Sequence, residues 1–267
     1  MRKKGKKTKT RPTTVIIDLA QSSIADGITL GSRGLLDDAV EAFDKALSML
    51  QASGTKPAAI QMLTAQAFAN KGAALGDMSC HAEAIHCYEA AIAIYRRLAK
   101  PGADADLVSN YAVSVMNKGW ALINQGHQEQ GFRCHEEALR LRRQLVDDGH
   151  QEILPDVARS LYNIGEGNFR AENFAKALPA FDEAEAILRG TIAAGQTDSE
   201  ENLAYVLAAR ADTLHKLGRL QNALDVNGEA IALLKRLSSE TENPKLASSI
   251  ATALDGRNTI LRKLKAP

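Results

Sequence analysis

Residues 68–91 read FANKGAALGDMSCHAEAIHCYEAA, and the spacing within this stretch decides the fold. Gly72 is followed twelve residues later by Ala84, and Tyr88 and Ala91 come four and seven residues after Ala84. Positions i, i+4 and i+7 share one face of a helix, so this second half predicts a helix that its neighbours pack closely. Because glycine is a poor residue inside a helix, Gly72 predicts a point at which two helices approach each other.

The same spacing occurs five times along the chain. With the glycine as position 8 of a repeat, successive copies lie 45, 47, 46 and 46 residues apart, which is too regular for chance recurrence in an alanine-rich chain. The rows are Ala20, Ala65, Ala112, Ala158 and Ala204 at position 1; Gly27, Gly72, Gly119, Gly165 and Ala211 at position 8; Ala39, Ala84, Gly131, Ala177 and Ala223 at position 20; Phe43, Tyr88, His135, Phe181 and Asn227 at position 24; and Ala46, Ala91, Ala138, Ala184 and Ala230 at position 27.

This pattern of small, small, aromatic and alanine resembles that of the tetratricopeptide repeat (TPR) over about residues 15–265. His135 and Asn227 depart from it at position 24. The usual TPR period is about 34 residues, so a period of 45–47 implies longer helices, similar to those of kinesin light chains and many bacterial TPR proteins. HEAT and armadillo repeats also have periods of about 40–47 residues and remain the alternative.

The sequence therefore predicts an all-α protein. The resemblance implies a right-handed superhelical TPR-like solenoid of five long helical hairpins over residues 13–267. Residues 1–12 are expected to form a disordered basic arm, because a block of like charge cannot bury apolar surface. A last helix, with Leu246, Ile250, Leu254, Leu261 and Leu264 on one side, is expected to cap the solenoid. The predicted helices span 14–32, 35–52, 57–76, 81–99, 105–125, 128–148, 153–171, 174–194, 198–217, 220–238 and 244–264.

Composition and charge are those of a soluble globular protein, with 45% apolar and 24% charged residues. Residues 1–11 hold seven Lys or Arg and no acid; subtracting these seven from 33 leaves 26 basic against 32 acidic residues in the remainder. Such an arm solubilises a protein or binds nucleic acid or an anionic surface. The odd number of cysteines favours a reducing compartment, and no stretch approaches a membrane span, so we expect a cytoplasmic location.

The binding face is predicted from helix geometry. In TPRs the first helix of each repeat lines the concave, ligand-holding surface, and positions 2, 6, 9 and 13 lie opposite the buried side. Amides there would pair with an extended peptide backbone, and an exposed tryptophan would be an anchor. The alternatives are solvated polar positions and a tryptophan covered by a neighbouring helix. The predicted groove residues are Asn70, Asn117, Trp120, Asn124, Arg159, Asn163, Arg170, Tyr205 and Lys216.

Lys71, Lys118 and Arg210 share position 7, on the flank between the core and the groove. We expect their stems to pack against the next repeat while their charges reach water, with ligand contact as the alternative. The predicted groove is mixed in sign, because Asp77, Glu166 and Asp212 partly offset its basic residues, Arg159, Arg170 and Lys216. We expect a peptide with an apolar anchor and at least one acidic group.

No enzyme signature is found. The chain has no phosphate-binding glycine loop, no G-x-S-x-G and no HExxH. CHAEAIHC at 80–87 invites a metal interpretation, but adjacent helical residues point about 100° apart and no CxxC pair is present, so we expect no metal and no cofactor. The sequence predicts a non-catalytic scaffold for a protein or peptide ligand. A nucleic-acid or anionic-surface adaptor that uses residues 1–11 is the alternative, and self-association through an uncapped end is a third hypothesis.

Overall fold

The structure is a computed structural model that describes residues 13–54, 57–100, 102–241 and 243–265. The predicted basic arm lies outside the described residues. Every regular element in the described part is helical, which confirms the all-α prediction. The α-helices are α1 Thr13–Ser32, α2 Leu36–Ala52, α3 Ala58–Asp77, α4 His81–Leu98, α5 Ala105–Asn124, α6 Gln128–Asp147, α7 Leu154–Arg170, α8 Phe174–Ala193, α9 Glu200–Lys216, α10 Leu220–Glu240 and α11 Pro244–Lys265.

The predicted helix ends agree with the observed ones to within three residues, and the starts of α7 and α9 carry an extra feature. A 3-10 turn, at Gln151–Ile153 and at Thr197–Ser199, precedes each of these two helices. Pro155 lies in the first turn of α7, where its missing N–H leaves no intrahelical bond unmade. The connector thus forms a 3-10 turn before each helix begins. The spacing of hydrophobic residues, which predicts the helix, does not predict this turn.

The five small and aromatic rows form the interior, as predicted. Every residue of the rows at positions 1, 8, 20, 24 and 27 is buried. The glycine at position 8 faces the ring at position 24 of the same hairpin. A β-carbon built on Gly27 would lie 2.6 Å from Phe43, and one built on Gly165 would lie 2.5 Å from Phe181. The close approach expected of the glycine row is therefore confirmed.

The turn between the two helices of each hairpin repeats a single backbone conformation. Seven residues after the glycine row the backbone has positive φ, and the next residue donates its N–H to the carbonyl five residues before it, as in a Schellman motif. Gly34, Gly126 and Gly218 adopt this left-handed conformation without a side-chain penalty. Ser79 (φ 62°) and Glu172 (φ 59°) occupy it in the second and fourth hairpins.

The chain divides into two compact units, with the boundary after Ala138, inside α6. In unit 1 a core cluster joins α1, α2 and α3 around Phe43 and Leu50. In unit 2 a cluster around Phe181 and Leu207 joins α7, α8 and α9. That residues 13–267 act as one domain stays a prediction.

The last helix packs on α10, as expected of a cap. Leu246, Ala253 and Ile260 are buried at seven-residue spacing, and Ile250 and Leu254 pack partly against the same cluster as Leu246. The predicted stripe was wrong at its end, because Leu264 is 41% exposed. The buried side follows Ile260 instead.

Two rows of ion pairs link successive repeats. In the first row a cation at position 7 pairs with a carboxylate at position 25 of the preceding repeat. In the second an arginine at position 32 pairs with a glutamate at position 26 of the following repeat. The first row contains Lys71–Asp44 (2.5 Å), Lys118–Glu89 (2.7 Å) and Arg210–Asp182 (2.5 Å), and the second contains Arg96–Glu137 (3.4 Å), Arg143–Glu183 (2.5 Å) and Arg189–Glu229 (2.7 Å).

These pairs settle the role of the flank cations. Lys71, Lys118 and Arg210 serve the contact between repeats, as predicted, but their partners lie in the preceding repeat rather than in the next one. Exposed pairs contribute only about 0.2–1 kcal/mol each. Their regular spacing thus fixes the register of neighbouring hairpins more than it adds stability.

Candidate functional site

Unit 1 contains a cavity of about 220 Å³ between α3, α4 and α5, which we call the Trp120 cavity. Its floor and walls come from the last turns of α3, the start and middle of α4 and the second half of α5. Three of the predicted groove residues line it, and all three belong to α5. The lining residues are Ala73, Gly76, Asp77, His81, Tyr88, Asn117, Trp120, Ala121 and Asn124.

Helical spacing brings the α5 residues together. Asn117, Trp120 and Asn124 are three and four residues apart, so they follow one face of the helix. Asn117 is half-buried and hydrogen-bonded to the Tyr88 hydroxyl, whereas Asn124 is exposed at the last residue of the helix. Burial raises the pKa of Tyr88 above its usual range, which keeps the hydroxyl protonated. One amide is thus fixed in the wall and the other stands at the rim.

Trp120 is half-buried and packs edge-on against His135, with ring centroids 5.1 Å apart. His135 fills the aromatic row and is 1% exposed, so it belongs to the core. Burial lowers the pKa of His135 to about 4, so the ring is neutral near pH 7. A neutral imidazole therefore supports one edge of the indole, and part of the indole surface stays open to the cavity.

The electrostatic character of the cavity is acidic. Asp77 is exposed and is the last residue of α3, and none of the nine lining residues is Lys or Arg. His81 begins α4, and its Nδ1 atom is buried without a hydrogen-bond partner in the described residues. A β-carbon on Gly76 would lie 3.9 Å from the Tyr88 oxygen, so this glycine leaves room beside the hydroxyl. The cavity accordingly offers a carboxylate, an imidazole nitrogen and two aromatic rings.

The other two predicted asparagines differ from Asn117. Asn70, on α3, is half-buried and is not among the residues that line the Trp120 cavity. Asn163, on α7 in unit 2, is only 8% exposed. Equal positions in the repeat thus give three different environments.

In unit 2 the remaining predicted groove residues contact their own neighbours. Arg159 pairs with Asp156 (2.5 Å), and Arg170 lies 3.8 Å from Glu166. The Tyr205 hydroxyl donates to Glu201 (2.7 Å), and the Lys216 ammonium lies 6.0 Å from the centre of the Phe174 ring.

The carboxylates of the same helices are more buried than these cations. Burial raises the pKa of Glu166, and the Asp212 charge raises it further. Burial also raises the pKa of Asp212. Two of the three cations therefore lie beside a carboxylate of their own helix, Arg159 beside Asp156 and Arg170 beside Glu166.

A larger cavity, of about 470 Å³, lies between α2, α3 and α4 in unit 1, and the sequence did not predict it. Its walls are mainly apolar, and at its edge Arg97 donates to the Gln61 amide oxygen (2.7 Å). It lies where the second row of ion pairs is interrupted, since Gln51 and Ala90 stand at positions 32 and 26. The absence of an ion pair at these two positions was the sequence signal that marked the place of this cavity.

Cysteine chemistry and metal binding gain no support from the geometry. Burial raises the pKa of the Cys87 and Cys134 thiols, so both stay protonated and poorly nucleophilic at neutral pH. Over the ranges that the structure describes, no three His, Cys, Asp or Glu side chains converge as metal ligands. Among the same residues, no helix is both long enough and apolar enough to cross a membrane.

Comparison with known proteins identifies the repeat. The family model for the tetratricopeptide repeat matches residues 112–152, which hold one copy of the pattern. The chain has a TPR-like fold. This confirms the TPR resemblance over the HEAT and armadillo alternative. No curated protein sequence matches the chain significantly.

Solved structures extend the likeness to most of the chain. The apo form of RapI is 14% identical and covers 90% of this chain, with a TM-score of 0.66, and the chain spans 61% of RapI. A putative kinesin light chain from Podosopora anserina with nearly identical TPR-like repeats is 14% identical (84% of this chain, 98% of that one, TM-score 0.65). BtubC (BKLC) from P. vanneervenii is 19% identical (86% and 85%, TM-score 0.64). At such identities the likeness concerns the fold.

Proposed function

We propose that this protein is an interaction scaffold and that the Trp120 cavity holds a segment of its protein partner. TPR-like folds are typical of protein-interaction scaffolds, and repeats of this kind present extended binding surfaces. The observation that carries the proposal is the convergence of Asn117, Trp120 and Asn124 on one cavity. Three of the nine predicted groove residues thus line one cavity.

The three residues would each make a different kind of contact with the ligand. Asn124 is exposed and has both a donor and an acceptor, so it suits the backbone of an extended peptide whatever its sequence. Trp120 supplies a large rigid surface, supported by His135, of the kind that dominates binding energy at interfaces. Asn117, already bonded to Tyr88, would keep its remaining amide atoms for the ligand.

The first helices of unit 2 form a separate part of the proposal. Arg159, Asn163, Arg170, Tyr205 and Lys216 remain candidate contacts there, and substituting them would show whether unit 2 contributes. The intramolecular contacts of Arg159, Arg170, Tyr205 and Lys216 predict smaller effects than those at the Trp120 cavity, because each of these four side chains must exchange an existing contact for a new one.

The test uses peptides selected on the full-length chain from a random display library. We expect Asn124→Ala to weaken the selected peptides about fivefold, and Trp120→Ala about 30-fold or more, because a net hydrogen bond contributes about 1 kcal/mol and a hot-spot aromatic about 2 kcal/mol or more. Asn258→Ala is the matched control, since Asn258 is exposed on α11. Unchanged affinities in both cavity variants, with unchanged circular dichroism, would show that the proposal is wrong.

The basic segment at residues 1–11 supports a second candidate function, binding to nucleic acid or to an anionic surface. Its seven cations give a sequence-independent, salt-sensitive attraction. Deletion of residues 1–11 separates the two functions: the selected peptides should bind as before, whereas binding to a random DNA duplex should be lost.

A further inference from the structure

The chemistry of the Trp120 cavity narrows the partner further, and this step rests on the proposed function. The cavity, at about 220 Å³, is smaller than the roughly 300–1,000 Å³ typical of small-molecule sites. A site of this size suits one side chain of a bound peptide rather than a whole cofactor. Which side chain it suits depends on the charge and the shape of the walls.

The charge points to a cation. Asp77 is the only Asp, Glu, Lys or Arg among the lining residues, and it has no salt-bridge partner within the described ranges. The flank lysines of α3 and α5 do not neutralise it, since Lys71 pairs with Asp44 and Lys118 with Glu89. A peptide carboxylate entering this cavity would meet a like charge, whereas a basic side chain would complete an ion pair.

The position of Asp77 is not explained by helix stability. It is the last residue of α3, where the partial negative charge of the helix end disfavours a carboxylate. A residue that opposes its local environment without an evident compensating contact is a candidate for a functional role. A ligand cation at this point would remove the unfavourable interaction.

The aromatic walls favour a planar cation. Trp120 and Tyr88 both line the cavity, and tryptophan is the strongest cation–π partner. A guanidinium stacks on aromatic faces and has five donors in a rigid fork, whereas an ammonium is a compact, strongly hydrated charge. The Asp77 carboxylate, the amide oxygen of Asn124 and the buried Nδ1 of His81 can accept such donors.

We propose that the Trp120 cavity binds an arginine side chain of the partner, with the guanidinium on Trp120 and paired with Asp77. The preference for arginine thus comes from one carboxylate and one ring. Lysine would bind more weakly, and a side chain with a carboxylate would be excluded.

Intrinsic fluorescence tests this directly, because Trp120 is the only tryptophan of the chain. The full-length protein is titrated with N-acetyl glycyl-arginyl-glycine amide and with matched tripeptides that carry citrulline, lysine or glutamate in the centre. We expect the arginine peptide to bind about five- to tenfold more tightly than the citrulline peptide, which has nearly the same shape without the charge. This preference should fall with added salt.

Asp77→Asn supplies the decisive variant. It removes the charge, keeps the shape and relieves the helix end, so it should fold normally. We expect the arginine and citrulline peptides to bind this variant equally, while Asp225→Asn, an exposed site on α10, leaves the preference intact.

The outcomes separate this inference from the proposed function. Equal binding of the arginine and citrulline peptides to the wild-type chain, or tighter binding of the glutamate peptide, would overturn the arginine assignment. In that case the proposed function still stands if the library-selected peptides lose affinity in Trp120→Ala. Both the proposed function and the arginine assignment fail if substituting the cavity residues changes the binding of neither the tripeptides nor the selected peptides.

Discussion

The substitution Gly165→Ala tests the packing argument that underlies the whole repeat. Alanine is the better helix residue by about 1 kcal/mol, so helix propensity alone predicts a more stable protein. The structure predicts the opposite, because the new β-carbon would lie 2.5–2.8 Å from three ring atoms of Phe181. Phe181 is fully buried, so its ring has no free space into which to move.

The magnitude follows from these two opposing effects. Overpacking a well-packed core by one methyl typically costs about 1–3 kcal/mol, and a contact below 3 Å belongs at the upper end of that range. After the propensity gain is subtracted, we expect Gly165→Ala to lower the free energy of unfolding by about 1–2 kcal/mol. Gly190→Ala is the matched control in α8, since no atom lies within 4 Å of its β-carbon position, and it should raise stability by about 0.5–1 kcal/mol.

The assay is urea denaturation followed by far-ultraviolet circular dichroism on the full chain. A double variant, Gly165→Ala with Phe181→Leu, completes a thermodynamic cycle. If the clash is the cause, the double variant should be less destabilised than the sum of the two single variants, because leucine leaves room for the methyl group. Stabilisation by Gly165→Ala, or strict additivity in the cycle, would refute the packing argument.

Three further changes have signs that the structure fixes. The pKa of buried His135 is about 4 in the folded protein and 6.5 in the unfolded chain, so protonation of this residue opposes folding. The free energy of unfolding should therefore fall by up to about 3 kcal/mol between pH 6.5 and pH 4. Urea midpoints measured at both pH values should fall less in His135→Leu than in the wild-type protein. Glu172→Gly and Ser79→Gly remove the side-chain penalty of a positive φ, so each should raise the free energy of unfolding by about 0.5–1 kcal/mol and with it the thermal midpoint. A lower thermal midpoint in both variants would contradict this explanation of the turn. Arg142 is fully buried and donates to the Asp156 carbonyl and the Ser160 hydroxyl, which both Arg142→Leu and Arg142→Ala leave without this donor. Arg142→Ala also leaves a cavity, so it should lower the unfolding free energy by about 2–5 kcal/mol and Arg142→Leu by less, which urea denaturation of both variants checks.

The helices and the core were predictable because their signals are local or strictly periodic. A glycine, an aromatic residue and an alanine at fixed spacing specify which faces approach, and five copies remove the ambiguity of any one copy. The ion pairs between repeats were predictable in principle, since their positions recur, but single charges do not reveal their partners. The shapes of the two cavities were not predictable, because each depends on how three helices are spaced, and the missing ion pair indicates only the place of the larger one.

Arg142 illustrates a limit of pattern arguments. It occupies a position that is leucine in the first, fourth and fifth repeats, and a hydrophobic pattern assigns an arginine to the surface. In the structure its guanidinium donates to the Asp156 carbonyl (3.1 Å) and to the Ser160 hydroxyl (2.6 Å), and burial lowers its pKa to about 10. Only the alignment of the repeats against one another marks the residue as unusual before the structure is known.

The segment Asn117-Lys118-Gly119 shows how one repeat differs from its copies. Its glycine serves close packing and its lysine pairs with Glu89, so neither is available to a ligand. Asn70-Lys71-Gly72 has the same composition, yet its asparagine does not line the Trp120 cavity.

The difference lies in the residues that surround Asn117 in the third repeat. Trp120 stands at position 9 where the second repeat has Ala73, and His135 stands at position 24 where the pattern calls for an aromatic ring of the Phe or Tyr type. The two rings contact each other, so the residue that departs from the pattern lies against the only tryptophan of the chain. Since sequences tend to break their own local rules at functional sites, the departure at position 24 beside the cavity supports the proposal that this repeat binds the partner.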